Sequence, residues 1–115
     1  MSHQIKNLLH IFGIGPLFLY VGLYRDTVPE PIFQLLGVTG FAILGYHSYL
    51  AYMKLKENKS AWVNWIHIFL IAPLLLLLAY LKKDASRRYF EMLLLLGFSA
   101  IGYHALYLMR EMMFD

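Results

Sequence analysis

Four of the five histidines in this chain are spaced so that they could do chemistry together. His10 and His67 are 57 residues apart, and so are His47 and His104. A neutral imidazole binds Zn, Cu, Fe or Ni and is a usual axial ligand of haem iron. It also titrates near physiological pH, so it can gate or relay protons. A bland alternative stands beside these: histidine can hydrogen-bond across helices as a packing group.

The neighbours of the histidines repeat as well. Asn7 and Asn64 lie three residues before His10 and His67, on the same helical face, where an amide could orient an imidazole. Gly40 and Gly97 lie seven residues, or two helical turns, before His47 and His104. A flat porphyrin lying along a helix needs a small residue at such a place, and so does close helix–helix packing. Tyr46 and Tyr103 directly precede the second histidine of each pair and read as packing residues. Pro16 and Pro73 fall inside the first apolar run of each half, where each removes a backbone hydrogen bond and kinks its helix. Lys6 and Lys54 share the histidine faces and could meet haem propionates, but Val63 and Glu111 replace them in the second copy; snorkelling explains the lysines equally well.

These matches belong to a tandem duplication. With a shift of 57, Asn7–Phe12 falls on Asn64–Phe69, Pro16-Leu17 on Pro73-Leu74, and Gly40–His47 on Gly97–His104, without a gap. The two repeats are residues 1–57 and 58–115. Leucine matches are cheap in apolar helices; matches at His, Asn, Pro and the Gly-Tyr-His triplet are not.

The elements that must position these residues follow from composition. In 115 residues, 60% are apolar and 15% charged, the reverse of a soluble domain's balance. A soluble protein this small could not bury so much apolar surface, so the expected solvent is a lipid bilayer. Four apolar runs approach the roughly 20 residues that a span requires: about 5–24, 31–53, 61–81 and 89–109. The lysine-then-apolar start resembles a signal peptide, but the run is too long and no small-residue cleavage site follows, so a retained helix is expected. Polar links between the runs are short, which favours antiparallel neighbours. The predicted fold is all-α: an integral membrane four-helix bundle, up-down-up-down, of two tandem hairpins. With two spans each, both repeats enter from the same side, related by a pseudo-twofold axis along the membrane normal. Such a chain is a multi-pass membrane protein. Lys and Arg divide five to five between the two sides, so the positive-inside rule assigns no orientation.

In either hairpin the two histidines are equidistant from the turn, so all four are expected at one depth, nearer the side that carries both termini. Ionisable groups at such depth point to function. The expected ligand is haem b or a transition-metal ion held by His10, His47, His67 and His104. The four-helix, bis-histidine layout resembles membrane b-type cytochromes in architecture, although their common pattern sets two haems at two levels, whereas a single level is expected here. Electron transfer is the role that resemblance implies. The alternatives are a proton or ion channel or transporter with a histidine gate, whose path calls for a homo-oligomer, and a non-catalytic membrane scaffold.

Other chemistry has little footing. The chain has no cysteine, no paired carboxylates within the apolar runs, no nucleophile–base spacing and no phosphate-binding glycine loop. A net charge of +3, spread over short links, does not make a nucleic-acid face.

Overall fold

A computed structural model describes residues 3–114. Among the described residues the regular elements are all helical, and no strand is formed. Four long helices follow one another: α1, Gln4–Thr27; α2, Glu30–Lys56; α3, Trp62–Asp84; and α4, Arg87–Phe114. Three of them, α1, α3 and α4, are long and apolar enough to cross a membrane. At 27 residues α2 is long enough, but it is more polar than expected for the second span. Gln34, Thr39, His47, Ser48 and the tyrosines 46, 49 and 52 dilute its aliphatic content.

The helix ends repeat with the sequence. α1 closes in a tight 3-10 turn, Arg25–Thr27, and α3 in the matching turn Lys82–Asp84. Arg25 and Lys82 open these turns at φ 50° and 54°, a region costly for residues with a Cβ. α2 ends differently. Asn58 takes φ 57°, the Asn58 N–H donates to the Leu55 carbonyl, and the Lys59 N–H donates to the Lys54 carbonyl. This is a Schellman stop with asparagine at the left-handed position.

The helices form two compact units: Met1–Arg25 with Ser86–Asp115, and Asp26–Ala85. In the first, α1 packs antiparallel on α4; in the second, α2 packs antiparallel on α3. Each unit thus takes one helix from residues 1–57 and one from 58–115.

Burial follows the 57-residue repeat. Phe33 and Phe90, Leu36 and Leu93, Phe18 and Leu75, Val21 and Leu78, and Asn7 and Asn64 are all buried as matched pairs.

Close helix approach is achieved by small residues, and the two units distribute them differently. In the first, a Cβ on Gly22 of α1 would sit 2.9 Å from the Leu94 Cβ and 3.0 Å from its backbone, so only glycine fits. In the second, the matched position on α3 is Ala79, and the glycine has moved to the facing helix: a Cβ on Gly37 would lie 3.1 Å from the Ala79 Cβ. One crossing point is therefore served by Gly22 against Leu94 in one unit and by Gly37 against Ala79 in the other. A second exchange lies nearer the histidines. Gly15 would clash with Ile101 at 2.4 Å if it carried a Cβ, whereas the matched positions hold Ala72 and the unbranched-at-Cβ Leu44.

Candidate functional site

The prolines do more than kink their helices. Pro16 has no N–H, and in a regular helix its ring would press on the carbonyl four residues back. α1 responds by widening into a π turn, His10–Ile14, in which the Gly15 N–H reaches the His10 carbonyl. α3 does the same before Pro73: a π turn at His67–Ile71, with the Ala72 N–H donating to the His67 carbonyl. Single π turns in α-helices concentrate at functional sites. Both begin at a histidine, so each re-aims the imidazole relative to the helix beyond it.

His10 and His67 are then fixed from below. The Nδ1–H of His10 donates to the Lys6 carbonyl at 2.7 Å, and that of His67 to the Val63 carbonyl at 2.8 Å. With Nδ1 protonated, the lone pair of a neutral ring lies on Nε2 in both.

Each of these rings meets a histidine from the facing helix. In the first unit His10 and His104 have centroids 4.0 Å apart and planes tilted by 33°. In the second, His47 stacks on His67 at 3.9 Å with planes 11° apart. The predicted four histidines are therefore brought together as two pairs. His10 pairs with His104 and His47 with His67, so neither ring finds its partner within its own sequence repeat.

Both asparagines orient an imidazole, but on the facing helix rather than their own. The Asn7 Oδ1 accepts from the His104 Nδ1 at 2.9 Å. The Asn64 amide nitrogen donates to the His47 Nδ1 at 2.9 Å, while its Oδ1 accepts from the Lys54 ammonium at 2.7 Å. Both asparagines are only 2% exposed. A buried amide left unmatched costs about 1–3 kcal/mol, so these bonds fix the helix register as well as the rings. Tyr46 and Tyr103 turn their rings edge-on to the histidine that follows each, at 5.4 and 5.2 Å.

Gly40 and Gly97 belong to the helix contact. A Cβ on Gly40 would lie 3.1 Å from the Leu75 Cβ, and one on Gly97 3.1 Å from the Phe18 Cβ and the Leu19 backbone nitrogen. The facing helix fills the space that a porphyrin would need there.

Lys54 as an amide partner went unread in the sequence. The available signal was its place seven residues after His47, on the same face. Among the described residues no group of three or more His, Asp or Glu side chains is assembled to hold a metal ion. The parallel rings of His47 and His67 also aim their in-plane lone pairs side by side rather than at one point. What each cluster offers is a pair of coupled imidazoles, held by a carbonyl on one side and a buried amide on the other. No family model, curated protein or solved structure matches the chain.

Proposed function

We propose that this chain is a multi-pass membrane protein whose two histidine pairs take up and pass on protons, as part of a proton or ion pathway. The observation that carries the reading is the close approach of two titratable rings in each unit, with centroids 3.9–4.0 Å apart and each ring anchored at Nδ1. Imidazole changes charge near neutral pH. Two rings this close cannot both be cationic without strong repulsion, so a pair takes up one extra proton at most. The bilayer setting is supported by the apolar surface. Phe12, Phe69, Phe41 and Phe98 are 60–75% exposed, at matched positions of the two repeats, and lipid is the solvent that tolerates such a surface. Trp62, Trp65, Tyr24, Tyr80 and Tyr89 near the helix ends suit interfacial belts. The expected arrangement is the up-down-up-down bundle, and a conducting path calls for a homo-oligomer. The test is proton flux in liposomes carrying the purified protein, compared with His47→Gln and His104→Gln.

One observation favours a second reading, a haem b or transition-metal centre serving electron transfer. His10 and His67 donate Nδ1–H to backbone carbonyls, the usual support of a metal-bound imidazole. The remaining donor set does not fit a closed site, because among the described residues no group of three or more ligating side chains comes together. A Soret band in the purified protein, or stoichiometric metal, would establish this reading over the first.

A further inference from the structure

The two clusters are copies in sequence, but one charge makes them chemically different. Lys54 has three N–H donors and no acceptor, so it can only face the oxygen of the Asn64 amide. That leaves the Asn64 NH2 toward His47, where its 2.9 Å bond requires a lone pair on Nδ1. A neutral His47 must then carry its hydrogen on Nε2. In the other unit the position matched to Lys54 is Glu111, and Asn7 turns its oxygen to His104. His104 therefore carries its hydrogen on Nδ1.

The geometry points to Lys54 as a positioning residue that sets the tautomer of His47 through Asn64, so that two equivalent histidines present opposite faces. His10, His67 and His104 carry Nδ1–H, and His47 carries Nε2–H. A second hydrogen on the His104 ring leaves the Nδ1–H bond to Asn7 in place. The His47 ring can accept one on Nδ1 only by breaking its bond to Asn64. This consequence for proton uptake rests on the proposed proton-handling role; the tautomer assignment itself does not.

The experiment is 15N NMR of the full chain, histidine-labelled, in detergent at a pH where the rings are neutral. The expected spectrum has Nδ1 of His47 at the unprotonated position and Nδ1 of His10, His67 and His104 at the protonated one. In Lys54→Met the amide is released, and the His47 Nδ1 signal moves to the protonated position. In Asn64→Asp the carboxylate only accepts, so it bonds Lys54 and draws the hydrogen of His47 to Nδ1, giving the same shift. Unchanged His67 signals report an intact fold in both variants. Identical tautomers for His47 and His104 in the unmodified protein, or an unmoved His47 in either folded variant, would overturn the inference. Opposite tautomers without proton flux would uphold it and refute the proposed function.

Discussion

His47 and His67 stack face to face, with centroids 3.9 Å apart and planes 11° from parallel, although they lie on different helices and in different sequence repeats. The contact is set by a π turn that begins at His67 and by Asn64, on the same helix, which reaches across to the His47 ring. Aromatic pairs of this kind contribute about 0.5–1.5 kcal/mol beyond area burial. The stronger constraint is the asparagine.

Asn64→Leu leaves His47 Nδ1 and the Lys54 ammonium without their amide partner and is expected to destabilise the protein by about 1–3 kcal/mol. Asn7→Leu should cost less within that range, because only His104 loses a bond to it. Thermal unfolding in detergent, followed by helical circular dichroism, measures both; equal or negligible effects would count against the amide assignments.

Much of the architecture was legible in the sequence. The apolar runs gave four helices, and the shift of 57 gave matched histidines, asparagines and prolines. Which helix packs on which was not. Self-similarity says that Asn7 and Asn64 do the same thing, but not that each does it for a histidine of the other repeat. The packing contacts were also hidden because they repeat as complements rather than identities. Gly22 against Leu94 becomes Ala79 against Gly37, so neither position scores as a match, although the crossing is the same. Pro16 and Pro73 were visible as kinks; the π turns were not, since they depend on whether the strain is relieved by bending or by widening.

That complementarity gives a double-mutant prediction. Gly15→Ala places a methyl 2.4 Å from the Ile101 Cγ1 and 2.7 Å from the His10 carbonyl oxygen, and is expected to cost about 1–3 kcal/mol, as overpacking does. Adding Ile101→Leu reproduces the Ala72 and Leu44 combination of the second unit and should recover the part of the loss that Ile101 causes. Additive effects in the double variant would refute the exchange.

Backbone strain at the matched turns gives a stabilising change. Arg25 holds φ 50° and its buried Nε makes no hydrogen bond. Arg25→Gly removes both penalties and is expected to raise stability by about 1–3 kcal/mol, the cost of one such strained residue. A lowered midpoint would contradict this. Lys82→Gly should gain less, since Lys82 also pairs with Glu30.

The Glu30 pair has a pH signature. Hydrogen bonding to Lys82, together with its charge, holds the Glu30 carboxyl below its ordinary value. A depressed carboxyl stabilises the fold above its unfolded value, and that contribution fades as pH falls through the folded one. Glu30 is exposed, so the effect is small and screened by salt. Glu30→Gln should flatten the acid limb of a stability–pH curve slightly and leave neutral-pH histidine behaviour unchanged.

Proton flux across liposomes decides most directly whether the paired histidines move protons. Purified protein is reconstituted, a pH gradient is imposed, and an internal dye reports its decay. The expected decay is well above that of empty liposomes, and is reduced to background in His47→Gln and in His104→Gln while both variants keep their helix content. Decay at the empty-liposome rate for the unmodified protein, or full flux in both variants, would contradict it.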